Sequence, residues 1–285
     1  TDEKGVLLGE VSLATLVMSD PPSQKLSQVM RKNFVALEPY QERSEAVEVF
    51  RKYDRNYIPV TNEEKKVIGI VTSDDVFDVA EEEATEDIQQ FGGHSALEES
   101  YFSTPLVTMI KKRFGWLAIL FICGFLSCRT LQSYEQILAQ WSMLIVFLPI
   151  VTSAGGNSGT QAASLIIRGL AIKEMDLKDV WKILQKEIVI GAFLGLLLAG
   201  IGFLGVFSWG HSIMVGYTVA ASVVMIVMVG TIIGSMLPFL FEKLNLDPAV
   251  VSSPFISTLL DVTGILIYIN TALFMLKFSN QITWG

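Results

Sequence analysis

The chain has 285 residues, of which 51% are hydrophobic, and its mean hydropathy of +0.48 excludes an ordinary soluble protein. The formal net charge of −8 is unevenly divided, because residues 1–110 carry 21 acidic and 10 basic side chains whereas residues 111–285 carry 8 and 11. An acidic soluble module therefore precedes a membrane domain, and we expect no nucleic-acid partner. The chain opens on Thr1 rather than Met, and we expect it to be a fragment.

The acidic module contains a repeat. The segment "LLGEVSLATLVM" (7–18) aligns with "VIGIVTSDDVFD" (67–78) at an offset of 60 residues. Each copy is predicted to form a short strand, a Gly, a second apolar stretch ending in Ser or Thr, and then a helix. This order resembles a pair of cystathionine-β-synthase (CBS) domains, an α/β fold. Residues 21–80 would be the second domain, and residues 1–20 the remnant of a truncated first one.

CBS domains often sense small ligands. In "GIVTSDD" Thr72 stands three residues before Asp75, and both are candidate nucleotide-binding residues with ATP as the possible ligand. Helix capping explains the same pair, since Thr and Asp satisfy free backbone N–H groups at a helix start. The first copy has Ser12 and Thr15 in the matching places and lacks the acid.

An acidic helix is predicted to connect the module to the membrane domain over residues 81–113. The stretch "SDDVFDVAEEEATEDIQQF" contributes eight carboxylates, namely Asp74, Asp75, Asp78, Glu81, Glu82, Glu83, Glu86 and Asp87. A solvated helix face is one explanation. Directly before a membrane domain we favour a cation sensor, because a divalent cation would relieve the repulsion among these charges. Loosely built carboxylate sites bind such ions at about 10⁻⁴–10⁻³ M.

Long stretches without charged residues predict five membrane spans, since a spanning helix needs about 20 largely apolar residues. The transmembrane domain is expected over 114–278, with spans at about 114–134, 142–168, 187–208, 213–241 and 249–277. The distribution of Lys and Arg predicts a cytoplasmic N-terminus and an outside C-terminus in the cell (plasma) membrane. Cys123 and Cys128 are interpreted as small apolar residues rather than as a disulfide or a metal site.

Asp261 is the one ionisable residue predicted to lie well inside a span. A charge at mid-bilayer costs at least about 2.5–3.5 kcal/mol, so it indicates an ion or proton pathway. A carboxylate hydrogen-bonded to a neighbouring helix for structure is the alternative. Asp261 lies 12 residues after Ala249, and Asn157 lies 11 residues before Arg168. Both are therefore expected some 16–18 Å deep, near mid-membrane.

The segment "PIVTSAGGNSGTQAASLIIRGLA" (149–171) is apolar but rich in small polar residues and glycines. We expect Gly155, Gly156 and Gly159 to loosen the helix and expose backbone carbonyls near Asp261. In the last span, Pro254 is expected to free a carbonyl near Ser252 and Ser253.

Close helix packing is the alternative explanation for glycines in a span. We assign this role to two glycine pairs in spans 3 and 4, Gly191 with Gly195 and Gly230 with Gly234.

These residues form an all-oxygen set, which favours a hard cation, and Mg²⁺ usually binds through one or two carboxylates with its waters retained. A twofold dimer would bring two copies of Asp261 to one axis.

The chain resembles the MgtE magnesium transporter family through "PIVTSAGGNSGTQAASLIIRGLA", "SSPFISTLLDVTGILIY" and "EEEATEDIQQFGG". The resemblance implies a homodimeric, five-helix membrane protein in lipid, preceded by a cytosolic CBS-type domain. Its pore would be lined by spans 2 and 5, with metal-binding residues Asp261, Asn157, Gly155, Gly156 and Ser253, and Glu135 at the outer mouth. Members of this family often have Gly or Asn where this chain has Ser253.

The predicted function is a Mg²⁺-selective channel that moves Mg²⁺ into the cytoplasm and closes when cytosolic Mg²⁺ binds the acidic sensor. The alternatives are a broader Mn²⁺ or Co²⁺ carrier coupled to an ion gradient, and a transporter gated by nucleotide at the CBS domain. We expect no enzyme. An intramembrane aspartyl protease would need a second buried acid close to Asp261, and the sequence predicts none.

Overall fold

The computed structural model describes residues 1–18 and 24–282, without the side chains of 278–282. It divides into two compact units, Thr1–Thr85 and Glu86–Gly285. Residues 19–23, where the predicted boundary between the two CBS copies falls, lie outside the described residues.

The first unit is a small α/β domain. Its elements are helices α1 (Leu13–Met18), α2 (Leu26–Val29) and α3 (Arg43–Tyr53), strands β1 (Tyr57–Thr61) and β2 (Val67–Thr72), and the start of helix α4 (Ser73–Phe91). The strands pair antiparallel across a turn in which Lys65 has a positive φ of 60°. Leu37, Phe50, Ile58 and Val76 form its core. In the second copy the predicted strand, Gly and apolar stretch form one continuous strand, β2, and the predicted helix follows from Ser73.

The first copy is less regular than predicted. Among the described residues before α1, Val6 and Glu10 form only isolated bridges, to Lys66 and Arg31. A Cβ atom at Gly9 would lie 2.7 Å from the carbonyl oxygen of Arg31, so this approach requires glycine.

The prediction of one helix over 81–113 is corrected by the structure. Helix α4 ends at Phe91, and the next helix, α5 (Leu106–Ser133), begins after an irregular segment. Gly93 ends the first helical path because its φ is +85°, a left-handed conformation that favours glycine. Pro105 stands in extended backbone directly before α5, where its missing N–H costs no helical hydrogen bond.

The second unit continues with α6 (Glu135–Gln140), α7 (Met143–Ala171), α8 (Val180–Ser208), α9 (Ile213–Lys243), a 3₁₀ turn (Pro248–Val250) and α10 (Ser253–Ile282). Among the described residues, five helices are long and apolar enough to cross a membrane, as predicted: α5, α7, α8, α9 and α10.

Some helix ends differ from the predicted spans. Helices α5 and α8 begin earlier, because a helix continues past the charged residues that bound its apolar part. Helix α10 begins later, at Ser253. There the Asp247 carboxylate accepts the Ala249 N–H at 2.8 Å and caps the separate 3₁₀ turn first.

Helices α7 and α9 approach each other at glycines. A Cβ atom at Gly230 would lie 2.6 Å from the carbonyl oxygen of Gly155, and one at Gly234 would collide with the backbone of Gly159. The packing role predicted for Gly230 and Gly234 is confirmed. Helix α7 also packs against α10, and α5 packs chiefly against α10.

Helices α8 and α9 meet in the same way. A Cβ atom at Gly195 would lie 3.0 Å from the Cα of Val224, and one at Gly191 would collide with the Thr231 hydroxyl. The second glycine pair therefore has its predicted packing role as well.

Replacement of Gly230 by Ala is expected to lower the free energy of unfolding by about 1–3 kcal/mol, because the methyl group overpacks the contact with α7. Thermal unfolding of the purified protein in detergent measures the loss. The matched control is Gly200→Ala on α8, where a Cβ meets nothing within 4 Å. Equal stability of the two variants would contradict the glycine contact.

Candidate functional site

Asp261 is exposed in the single chain although it lies inside helix α10. The preceding residue, Leu260, is fully buried in the bundle, so Asp261 lies toward the side of α10 that the bundle leaves uncovered. Within the part of the chain that the structure describes, its carboxylate has no hydrogen-bond partner. The alternative of a carboxylate fixed to a neighbouring helix is therefore not supported.

Helix α7 exposes a row of polar side chains. Its members are spaced three or four residues apart, which places them on one helix face, and we call them the polar stripe: Ser153, Asn157, Gln161, Ser164 and Arg168. The Asn157 side-chain Nδ2 donates to Ser153 Oγ at 3.3 Å. Of these residues only Asn157 was predicted as a site residue, although the spacing of the others can be read from the sequence.

Contacts between α7 and α10 fix their relative register. A Cβ atom at Gly264 would lie 3.1 Å from Thr152, and one at Gly156 would lie 3.4 Å from the Ser257 hydroxyl. Because the helices run antiparallel, Asp261 is level with Ser153 or Ala154. It therefore lies about one helical turn from Asn157, and the predicted match in depth holds to about 5 Å.

The expectation that glycines loosen α7 is corrected. The helix runs unbroken from Met143 to Ala171, and the three predicted glycines, Gly159 among them, are buried in helix contacts. Gly155 meets Ile226 of α9, and Gly156 meets Ser257 of α10. The packing alternative thus accounts for Gly155 and Gly156, because their small size lets α9 and α10 come close to α7.

The expected break at Pro254 is also corrected. Pro254 stands in the first turn of α10, where the missing N–H removes no helical bond. The Ser253 hydroxyl lies 3.5 Å from that of Thr160 on α7. Ser253 is half-buried between the two helices.

Glu135 begins α6 and is exposed. The neighbouring Tyr134 hydroxyl accepts a hydrogen bond from Asn270 of α10 at 3.3 Å. Glu135 and Asn270 therefore lie toward one end of α10, whereas Ser253 lies at the other. Asn270 was not predicted as a site residue.

Glu187 is a second acid inside a membrane helix. It was predicted to lie at the edge of a span, but α8 begins at Val180 and Glu187 is buried. Its backbone carbonyl accepts a hydrogen bond from the Thr231 hydroxyl of α9 at 3.3 Å. Asp261 remains the acid on the uncovered face.

The predicted sensor acids line helix α4. Six of them are exposed: Asp74, Asp75, Asp78, Glu81, Glu82 and Glu86. Glu83 and Asp87 are half-buried. Hydrogen bonds from Thr72 and from the backbone at the helix start lower the pKa of Asp74. Over the described ranges 1–18 and 24–282, no three His, Cys, Asp or Glu side chains come together as metal ligands.

Thr72 and Asp75 form the start of α4. The Thr72 hydroxyl donates to the Asp75 carboxylate at 2.7 Å, and the Thr72 N–H reaches the same oxygen at 3.4 Å. Capping explains this pair, as the sequence allowed. A separate cavity of about 170 Å³ in the first unit is lined by polar residues that include Ser12, Thr15 and Arg31.

A carboxylate and a polar stripe on one uncovered face, among five helices long enough to span a membrane, fit a protein of the ion-transporter class. Residues 148–271 match the family model of MgtE, a divalent cation transporter, and residues 26–82 match that of the CBS domain. The chain is 38% identical over 277 residues to the magnesium transporter MgtE of Thermus thermophilus and 32% identical over 275 residues to that of Bacillus subtilis. The chain therefore carries an MgtE-family domain over residues 148–271 and a CBS domain before it, and the predicted resemblance is confirmed.

These matches cover 97% and 95% of this chain but 61% and 59% of the relatives, so the chain spans about three fifths of their length. A solved structure, the cytosolic domain of the Mg²⁺ channel MgtE in complex with ATP, is 37% identical. The match covers 28% of this chain and 32% of the solved chain, and its TM-score of 0.27 is too low to bear on the fold. The two full-length relatives are transporters and not enzymes.

Replacement of Thr72 by Ala is expected to weaken the first turn of α4 by about 1 kcal/mol, because the Asp75 carboxylate loses the hydroxyl that donates to it. Amide hydrogen exchange at residues 74–76 would then be about fivefold faster, whereas Thr72→Ser should keep the wild-type rate. Unchanged exchange in the Ala variant would remove the capping explanation and return the pair to nucleotide binding.

Proposed function

We propose that two copies of this chain form a passage for Mg²⁺ across the cell membrane, lined by α7 and α10. The observation that carries the proposal is the exposed carboxylate of Asp261 inside a membrane helix. The MgtE-family domain and the names of the relatives support Mg²⁺ as the ion.

The uncovered face requires a partner. A carboxylate in contact with lipid costs at least about 2.5–3.5 kcal/mol, so the face that carries Asp261 must meet protein or water. A twofold axis beside α10 would cover this face and bring two carboxylates together. Mg²⁺ gives up its waters reluctantly and usually binds one or two carboxylates, which fits a hydrated ion held by this pair.

The polar stripe supplies the rest of the passage. Hydroxyl and amide oxygens of Ser153, Asn157 and Gln161 accept hydrogen bonds from the waters of a hydrated ion. They extend the polar surface along α7 on both sides of the level of Asp261. Glu135 stands near the far end, where it would attract cations to the mouth.

The charge distribution supports the predicted orientation. Arg168, Lys186 and Lys243 flank the membrane helices on one side, which the positive-inside rule makes cytoplasmic. The N-terminus would then be cytoplasmic and the C-terminus outside. A membrane potential that is negative inside would draw Mg²⁺ through such a passage into the cytoplasm.

The acids of α4 would sense cytosolic Mg²⁺. Four of them recur every fourth residue and so follow one helix face: Asp74, Asp78, Glu82 and Glu86. Because ligands from a single chain do not converge there, a bound ion would join this face to a second acidic surface, such as that of the other subunit. Ion binding would hold the subunits together and close the passage.

Nucleotide binding at the CBS domain stays a prediction. The solved relative is a cytosolic domain in complex with ATP, which supports a nucleotide as the ligand to test. In this chain a cavity of the first unit is lined by Arg31 and Arg55 but also by Glu10 and Asp54, and Arg55 is paired with Glu10 at 2.7 Å. Thr72 and Asp75 bond to each other instead.

Mg²⁺ influx into liposomes tests the passage. Asp261→Asn keeps the shape of the side chain and removes its charge, so flux is expected to fall at least tenfold, the loss of an attraction worth about 1.4 kcal/mol or more. The control is Glu63→Gln, which removes one exposed carboxylate from the first unit and should keep full flux.

Undiminished flux in a folded Asp261→Asn protein would overturn the assignment of Asp261. An imposed proton or Na⁺ gradient is expected to leave the flux of a channel unchanged. Flux that follows such a gradient would establish the coupled carrier instead.

Mg²⁺ is expected to raise the thermal unfolding temperature of the whole protein, with half of the effect at about 10⁻⁴–10⁻³ M. The double variant Asp78→Asn, Glu82→Gln removes three repulsive pairs worth about 0.2–0.5 kcal/mol each. It also removes one exposed ion pair, Arg43 with Glu82 at 3.7 Å, worth about 0.2–1 kcal/mol, so it should be slightly more stable without Mg²⁺. It should also respond less to the ion. The double control Glu38→Gln, Glu63→Gln lies outside α4 and should respond fully. An equal response of both proteins would exclude the sensor role of these acids.

A further inference from the structure

The start of helix α10 is held by an indole from helix α5. The Trp116 Nε1–H donates a hydrogen bond to Ser252 Oγ at 2.9 Å. Ser252 stands directly before α10 and is only 1% exposed. The two atoms belong to residues 136 positions apart in the chain, so this bond joins two separate membrane helices.

Ser252 is also the residue that caps α10. Its carbonyl accepts the Ile256 N–H at 3.0 Å, and its hydroxyl oxygen accepts the Phe255 N–H at 3.4 Å. The same hydroxyl oxygen therefore serves the backbone of α10 and the indole of Trp116. The Trp116 ring also packs on that of Phe255, with centroids 6.2 Å apart. Any displacement of Trp116 acts on the first turn of α10.

The other side of Trp116 contacts the segment between α4 and α5, residues 92–105, which we call the connecting segment. A Cβ atom at Gly93 would lie 3.2 Å from both Trp116 Cδ1 and Pro254 Cγ, so this residue is wedged between the two helices. Its positive φ of 85° and this lack of space both require glycine. Gly93 thus lies where the connecting segment, α5 and α10 meet.

The connecting segment is attached to the same face of α5. Lys112 stands one turn before Trp116, and its ammonium donates to the carbonyl of Ala96 and lies 3.5 Å from the Glu98 carboxylate. The Ser95 N–H donates to the Lys112 carbonyl at 3.4 Å. Movement of this segment is therefore passed to the part of α5 that carries Trp116.

We propose that Trp116 is a positioning residue that couples the connecting segment to the helix of Asp261, acting through the cap at Ser252. Asp261 lies nine residues beyond Ser252, about two and a half turns along the same helix. A change in the cap reorients the first turn of α10 and, with it, the carboxylate. The inference rests on the proposed function and gives the sensor a route to the passage.

A Trp near a membrane surface also serves as an interfacial anchor. An anchor affects stability and leaves the response to Mg²⁺ unchanged. The two roles therefore differ in one measurement, the Mg²⁺ concentration that closes the passage, which a purely structural residue would leave unchanged.

The test measures Mg²⁺ influx into liposomes while the Mg²⁺ concentration on the sensor side is varied. Trp116→Phe keeps an aromatic ring and removes the N–H, and Ser252→Ala removes the acceptor. Each is expected to raise the half-closing concentration at least threefold, with maximal flux kept within twofold of the wild type. The double variant should shift no further than the larger single shift, because both changes break the same bond.

The matched control is Leu117→Ala, the next residue on α5, which is 51% exposed. It should close at the wild-type concentration. Unchanged closing in Trp116→Phe and Ser252→Ala, or fully additive shifts in the double variant, would overturn the coupling. If Trp116→Phe does not fold, Ser252→Ala decides the coupling by itself, because it removes the other partner of the same hydrogen bond.

Hydrogen exchange separates this inference from the proposed function, because it needs no flux. In the wild type, Mg²⁺ is expected to slow exchange of the Phe255 and Ile256 amides at least threefold, and in Trp116→Phe this protection should be lost. If the wild type transports no Mg²⁺ into liposomes, the proposed function fails. The exchange result still decides whether Trp116 couples the connecting segment to α10. Equal protection in both proteins would overturn it.

Discussion

Helix α7 approaches α9 at a distance that only glycine permits, and this contact determines which side of α7 is left for polar residues. Gly155 and Gly159 meet the backbone of Gly230 and Gly234, so that side of the helix is fully occupied. A second side is taken by α10. The polar stripe remains on the side that no other helix in the described part of the chain covers, beside the face of α10 that carries Asp261. The geometry of the candidate site therefore follows from close packing elsewhere on the same helix.

Much of this architecture could be predicted from the sequence, because its signals are local. Charge-free stretches predict the five spans, and Asp261 is evident as a charge inside one of them. The role of Gly155 and Gly156 could not be predicted in the same way. A glycine allows a loose backbone and a close contact equally well, and the choice depends on which helix lies opposite. That neighbour is a tertiary fact, provided here by Ile226 and Ser257.

The ends of the elements were harder to predict, for a related reason. A proline suggests a break only where it lies in the interior of a helix. The predicted span begins at residue 249, before Pro254, whereas the structure starts the helix at Ser253. The end of the connecting helix near Gly93 was not predicted. The left-handed φ of Gly93 goes with a contact to Trp116 and Pro254, which are not its neighbours in the sequence. The polar stripe, in contrast, could have been found from its spacing of three and four residues, which is visible without any neighbour.

The hydrogen bond between Asn157 and Ser153 has a consequence for the sign of the charge that this surface accommodates. Because the amide nitrogen is turned along the helix toward the serine hydroxyl, the amide dipole is held in one orientation. Its negative end, the carbonyl oxygen, is then the part turned away from the serine. At this position the helix therefore presents lone pairs, which suit the water shell of a cation better than an anion.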